Sequence, residues 1–513
     1  MQDYGLDHED IVNETPIQKF FSGSTIFITG GTGFLGKILV EKLLRSCPNL
    51  KTIYLLVRPK KGKDMNTRLE EIFDDVVFKR LNKEQPKSRY KVVTINGDMS
   101  LPGLGISYED RKLLTNEISV IFHCAATVRF DEKLKLAVAI NVKGTNEIIN
   151  LANECTSLKS IVHVSTAYSH CYLNEVDEKF YESDMHYQKL INFVDNKTDR
   201  EVEMLAEDGL VFGKYPNTYT LTKAAAENLV RDRCEKLPMC VFRPSIVICT
   251  YKEPIRSWIN NLYGPTGVVV GAGTGLLRTL QLDRSKRADI VPVDFVVNSM
   301  IASAYETAQK FDKNAPKREI KLYNYTATDN SITWNEFCEL SRRYGENYPT
   351  IRAVWYFCLV KQKSSFFHVI LTFLLHFIPA LIGEIILKLC GSKISLLKVY
   401  KKINKFADVI AYFALKEWKF KNNNVQQLWK SLTPDDKKLF TFDMKELDWT
   451  KFMETHCLGL RMYLVKDDLS TLPQARKRWQ RLYYLHRFVQ IVFFVMVFRL
   501  LWAVFSTVSN KFF

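Results

Sequence analysis

The sequence predicts an α/β fold, a doubly wound parallel sheet, followed by a mostly helical C-terminal region and an apolar tail. Three observations carry this. Short, nearly all-apolar runs alternate with helical stretches, as expected of strands covered by helices on both faces. The first such run ends in a glycine-rich turn that opens a helix. Charge also divides the chain: residues 1–350 carry a net +1 and residues 351–513 a net +15. The first two-thirds therefore reads as a near-neutral soluble domain, and the last third seeks anions. With 513 residues, 47% hydrophobic and 25% charged, the chain is too apolar for a disordered or fibrous protein. Long apolar runs are too few for a polytopic membrane protein. Eleven scattered cysteines without a CxxC pair exclude a disulfide frame and a structural zinc, and fit a reducing compartment. The acidic start MQDYGLDHED is unlike a cleavable signal peptide, so the first domain is expected in the cytosol.

The first strand is Ile26–Thr29. Glycines then fall at Gly30, Gly33 and Gly36, and Ile38, Leu39, Leu43 and Leu44 follow at helical spacing. Amides at the start of that helix would face a pyrophosphate, and glycines would let the backbone approach it. Thr29, Gly30, Gly33, Phe34, Leu35 and Gly36 are the candidate cofactor contacts; the alternative is a plain turn. The second strand, in KTIYLLVRPKKGK, ends at Arg58, followed by Lys60, Lys61 and Lys63. An acidic residue there would select a ribose 2′-hydroxyl, whereas arginine suits a 2′-phosphate. The reading is NADPH, against a solvated basic loop. Further strands are expected in 92–98, 120–126, 160–166 and 239–245, and helices in 141–154 and 222–233. Asp98, Ala125 and Thr166 fall at strand C-terminal ends, where ligands of such sheets bind.

Tyr219 and Lys223 stand four apart in YTLTK, so on a helix they share a face one turn apart. An ammonium beside a phenol is expected to lower its pKa from about 10 and let it exchange a proton with a substrate oxygen. The pair follows a nucleotide fingerprint and a strand ending Ser165-Thr166, which makes Tyr219, Lys223 and one of the two hydroxyls the candidate catalytic group.

This combination resembles the extended short-chain dehydrogenase/reductase superfamily, whose nucleotide domain is of the Rossmann type. The resemblance implies that Ser165 or Thr166 completes the catalytic set, with Thr166 favoured because it precedes Ala167. It also implies that Lys223 bonds the nicotinamide ribose. TGGTGFLGKILVEKLL (29–44), IFHCAATVRFDEKLK (121–135), PNTYTLTKAAAE (216–227) and NNLYGPTGVVVGAGTGLLRT (260–279) are similar more narrowly to the alcohol-forming fatty acyl-CoA reductases, and to insect-like members in particular. Residues from about 360 to 457 resemble that family's C-terminal male-sterility domain. The implied reaction is reduction of a long-chain fatty acyl-CoA to an aldehyde and then to a primary alcohol, using NADPH twice. No acyl-enzyme cysteine is needed, and Cys124 reads as a buried strand residue. Within VVVGAGTGLL (268–277) a second nucleotide turn is a weak alternative to a flap near the substrate, since its glycines lack the spacing for helix packing.

The expected division is a lead over 1–23, an NADPH-binding catalytic domain over 24–345, a C-terminal domain over 346–457, and a basic flank with tail over 458–513. Segment 366–390 is apolar enough to span a bilayer, but it also suits a surface helix or a buried wall of an acyl tunnel. The tail places five basic residues before an apolar stretch at 489–508, with Arg499 inside it. This reads as a membrane anchor with a cytosolic positive flank. Membrane lipids are thus expected partners and nucleic acid is not, because the charge adjoins an apolar run and no aromatic-interleaved groove. Family resemblance places the protein on the endoplasmic reticulum, with the peroxisomal membrane as alternative. A membrane-anchored sterol dehydrogenase and an inactive lipid-binding scaffold are the competing functional readings.

Overall fold

The computed structural model describes residues 13–512 except 60, 61, 63, 210, 313 and 315–318. The three lysines after Arg58 lie outside the described residues. The chain forms two compact units, each assembled from separate segments. One takes the stretch ending at Trp258, Arg287–Ile332 and Glu417–Asp448. The other takes Ile259–Lys286, Thr333–Lys416 and the chain from Trp449 onward.

The first unit is built on seven strands: β1 (Thr25–Thr29), β2 (Thr52–Val57), β3 (Val92–Asn96), β4 (Val120–His123), β5 (Ser160–Val164), β6 (Met239–Pro244) and β7 (Lys321–Tyr325). Their order is β7-β6-β5-β4-β1-β2-β3, and every neighbouring pair is parallel. Ile28 lies opposite Leu55 on one side and Phe122 on the other, and β1, β4, β5 and β6 are buried at every position. The strand order reverses between β1 and β4, which opens a crevice at their C-terminal ends. Three helices carry the residues of interest: α1 (Phe34–Ser46), α2 (Gly144–Glu154) and α3 (Thr218–Arg233). A π-turn, Ala139–Lys143, leads into α2, where the spacing predicts ordinary helix. Asn217 caps α3 by accepting the Thr220 amide proton at 2.9 Å.

Segment Glu417–Asp448 completes this unit. Its strand Lys419–Phe420 pairs with Glu175–Val176, and the Trp418 indole donates to the Cys171 carbonyl at 2.9 Å. The Tyr325 hydroxyl reaches the Phe442 carbonyl at 2.6 Å, and Lys42 donates to the Leu439 carbonyl at 2.7 Å.

The second unit is mostly helical, as predicted. It includes the helices Pro265–Gly273, Ser365–Leu389, Leu396–Ala414 and Leu472–Phe512, with one strand pair, Thr279–Gln281 beside Val360–Gln362. The glycine-rich run at 268–277 is no nucleotide turn. A helix led by Pro265 at its first turn occupies most of it, with no strand before it, and Gly271 and Gly273 fall in the last helical turn. Gly275 then bends the chain at φ +75°, where a Cβ would stand 2.4 Å from the Trp355 carbonyl oxygen.

Candidate functional site

The turn between β1 and α1 is shaped by backbone contact. Gly30 has φ +73°, and a Cβ there would lie 2.8 Å from the Ala125 nitrogen at the end of β4. A Cβ on Gly36 would lie 2.2 Å from the Gly30 carbonyl oxygen. The chain is thus folded too tightly for side chains, and the first amides of α1, at Phe34 and Leu35, have no carbonyl within the helix to accept them. Gly33 caps that helix with no side-chain bond. A helix N-terminus with bare donors and a flat glycine floor fits a dinucleotide pyrophosphate. Phe34 stacks on Trp258 at 5.6 Å, fixing the outer wall of the turn.

At the neighbouring strand ends, Arg58 after β2 pairs with Asp98 after β3 at 2.9 Å. Asp98 also accepts the Ser100 amide and hydroxyl. Partial burial raises the Asp98 pKa, but the Ser100 bonds and the Arg58 charge outweigh it and hold the carboxyl below its ordinary value. Arg58 remains largely exposed, so part of its fork stays open to an anion. Thr29, fully buried, accepts the Ala125 amide proton at 3.1 Å and donates to Nδ1 of His123 at 2.8 Å. It holds β1 and β4 together beneath the turn.

His123 continues a directed chain of bonds. Thr145 gives its hydroxyl proton to the Asn141 carbonyl at 2.7 Å, so it must accept from Nε2 of His123, 3.0 Å away. The imidazole is therefore the neutral Nε2–H tautomer. Burial, with His163 and Lys223 nearby, keeps its pKa well below the usual value. His163 lies 5.2 Å away, its pKa driven down to about 3 by burial. Asn141, inside the π-turn, then bonds the Thr127 backbone and donates to the Thr222 hydroxyl at 3.0 Å. The glycine turn is thereby tied to α3 next to Lys223.

On α3, Tyr219, Lys223 and Glu227 occupy one face at successive turns. The Tyr219 phenol lies near Thr166, which starts the turn after β5 and whose hydroxyl donates to the Pro244 carbonyl at 3.4 Å and accepts the Tyr168 amide proton at 3.2 Å; the phenol ring lies 5.7 Å from Phe130. Lys223 donates to the Val164 carbonyl at 2.7 Å. The expected lowering of the tyrosine pKa does not occur in this arrangement. Burial pushes it up to about 12, the nearby Thr166 hydroxyl lowers it in part, and the Glu227 charge raises it. Lys223 itself is drawn down to about 8, chiefly by burial, with Cys124 and Glu227 opposing. Tyr219 is thus a protonated donor at neutral pH, and spacing alone gave the wrong direction because it carries no information on desolvation.

Ser165 and Thr166 separate in role. The Ser165 proton goes to Glu227 at 2.5 Å, whereas Thr166 makes only a long bond, 3.4 Å, to the Pro244 carbonyl. Glu227 is a buried hub that sequence reading missed. It takes a bidentate Arg243 at 2.8 and 2.5 Å, Ser169 at 3.1 Å and Nε2 of His170 at 3.0 Å. A Glu four residues beyond Lys223, on the same helix face, was the available signal. Cys124 is half-buried just past β4; burial lifts its thiol to about 12, against an acyl-enzyme role. Among the described residues no cluster of metal ligands occurs.

Residues 28–300 match a NAD-binding family model described as male sterility protein, and residues 375–467 match a second model of the same description. The chain is 43% identical over 500 residues to fatty acyl-CoA reductase wat of Drosophila melanogaster, covering 97% of this chain and 94% of that relative. It is 37% identical over 498 residues to fatty acyl-CoA reductase 1 of Rattus norvegicus, covering 96% and 94%. Among solved structures, the terminal R domain of the myxalamid biosynthetic pathway aligns with a TM-score of 0.56 at 17% identity, over 86% of this chain and 92% of that one. A nonribosomal peptide synthetase reductase domain from Mycobacterium tuberculosis aligns at 0.55 and 20%, over 85% and 92%. At these identities the structures speak to the fold alone.

Proposed function

Because this chain belongs to the fatty acyl-CoA reductases, we propose that it reduces a long-chain fatty acyl-CoA to the primary alcohol and free CoA, through an aldehyde, with NADPH as reductant. The observation that carries the reading is the Tyr219 phenol beside the Thr166 hydroxyl, with Lys223 one turn on, at strand ends joined to the glycine turn. Gly30, Gly33, Phe34, Leu35 and Gly36 would hold the pyrophosphate, Arg58 the 2′-phosphate, and Ala125 and Lys223 the nicotinamide side. When bound, NADPH supplies the hydride for each reduction.

The Tyr219 hydroxyl donates to the thioester carbonyl oxygen, and the Thr166 hydroxyl joins it by turning from its long bond to the Pro244 carbonyl; together they stabilise the negative charge that develops there. Collapse of that tetrahedral species breaks the carbon–sulfur bond, and the CoA thiolate leaves and takes a proton. The aldehyde then occupies the same two hydroxyls. Tyr219, protonated because burial holds its pKa near 12, gives its proton to the alkoxide oxygen. Ser165, committed to Glu227, acts as a positioning residue. Two helices, Ser365–Leu389 and Leu469–Thr507, are long and apolar enough to cross a membrane. They support a membrane-associated enzyme, placed by this reading on the endoplasmic reticulum with its first unit in the cytosol.

The test incubates detergent-solubilised protein and Tyr219→Phe with NADPH or NADH and acyl-CoAs of several lengths, with lipid products identified by mass spectrometry. Fatty alcohol from the wild type and a loss of about 10²–10⁴-fold in the variant are expected. Aldehyde as sole product would remove the second stage. Absence of any acyl-CoA-dependent product while NADPH binds would overturn the reading.

A further inference from the structure

The helix Ser365–Leu389 has its polarity reversed relative to a helix of a soluble protein. Its buried positions include His368, His376, Ala380 and Glu384, while Phe366, Phe373, Ile382, Ile385 and Leu389 stand exposed, Phe366 by 70% and Leu389 by 83%. The three buried polar side chains are fastened to the same unit. His368 lies 3.3 Å from the Thr279 hydroxyl. His376 accepts the Arg278 amide proton at 2.9 Å and so donates from Nδ1 to Asn404 at 2.8 Å. Glu384 accepts from the Leu397 amide at 3.0 Å and the Ser395 hydroxyl at 3.1 Å. His368 and Glu384 are sixteen positions apart, which in a regular helix at about 100° per residue would set them roughly 160° apart. The π-turn Phe373–Phe377 absorbs one extra residue and takes back about 100° of that rotation. One face therefore stays polar and tied down from end to end.

We propose that this helix lies in the plane of one leaflet of an anionic bilayer, its outer face among the acyl chains and its inner face on the protein. The proposal rests on the membrane-associated reductase reading above. A transverse placement would carry into hydrocarbon everything the inner face touches along its length. That includes the strand Thr279–Gln281 and the turn at Ser395, and would draw along the exposed Lys393, Lys398 and Lys401 that flank that turn. Backbone of that kind and unpaired ammonium groups are not tolerated against lipid. In the plane, the same lysines stand at headgroup depth, where they attract anionic lipid. The Leu472–Phe512 helix of the same unit, exposed along its apolar stretch, supplies a second lipid-facing surface.

The full chain, reconstituted in vesicles of phosphatidylcholine and phosphatidylserine, would carry a fluorescent amino acid at Phe366, Phe373, Ile382 or Leu389, or at inward-facing Ala380. Lipids brominated at several depths would quench it. Equal, shallow depth at the four outer positions and little quenching at 380 are expected. A graded profile, deepest near the middle and shallow at both ends, would overturn the proposal in favour of a span. Absence of quenching, or cross-linking of the outer face to a second copy, would also overturn it. Fatty alcohol formation measured on the same vesicles separates the two readings, since a graded profile with turnover removes only the in-plane placement.

Discussion

Lys223 keeps its ammonium where desolvation lowers its pKa to about 8, against about 10.4 in an unfolded chain. Between those values the unfolded chain binds the extra proton, so this residue's contribution to stability rises with pH across the window from about 8 upward. Activity should run the other way. If the charged form orders the site, kcat/KM for the free enzyme will be flat below about pH 8 and fall above it. Lys223→Arg, always charged, should abolish that falling limb while lowering the plateau; a limb that persists in the variant would assign it elsewhere. Glu227 has the same sign in a lower window. Burial pushes its carboxyl up, but Arg243 and His170 hold it well below the ordinary range, so its stabilisation is present above about pH 4 and is lost as pH falls further. Glu227→Gln strands a fully buried arginine and should cost about 3–5 kcal/mol, read by urea denaturation. At Arg58, loss of a charge-assisted contact to a 2′-phosphate is worth about 1.5–3 kcal/mol. Arg58→Ala should therefore raise the KM for NADPH by about 10–100-fold and leave that for NADH nearly unchanged.

Among elements, the β1–α1 turn is the least forgiving. Gly36→Ala drives a Cβ into the Gly30 carbonyl, a backbone atom with nowhere to move. Loss of NADPH binding, measured by fluorescence titration, is expected even in protein that retains its helical circular dichroism. This turn was legible in the sequence because strand, glycines and helix are contiguous, and six of the seven sheet strands were legible as apolar runs. β7 was not: in Lys321–Tyr325 lysine and asparagine interrupt an edge strand that pairs with β6 alone. The Tyr219/Lys223 face was legible from helical spacing, whereas the Glu227 hub was not, since Ser165 and His170 reach it from about sixty residues away. The π-turns escaped notice because one extra residue hardly disturbs a hydrophobic pattern.

Over the whole molecule, charge and apolar surface are gathered toward the C-terminal third. Binding to vesicles should strengthen with the fraction of anionic lipid and weaken, without vanishing, between low and high salt, because insertion of apolar side chains is not screened. Co-sedimentation checks this, and complete release at high salt would mean that only headgroups are touched. The segment Glu417–Asp448 has a consequence in time. A ribosome adds about 5–20 residues each second, so several seconds separate the emergence of Ile332 from that of Glu417. Throughout that interval the sheet carries seven finished strands but lacks the strip that pairs with Glu175–Val176 and covers Tyr325. The apolar helix Ser365–Leu389 is translated before that strip. A nascent chain must therefore shelter its greasiest segment while its catalytic half is still open, which favours synthesis beside a membrane or under the cover of a chaperone.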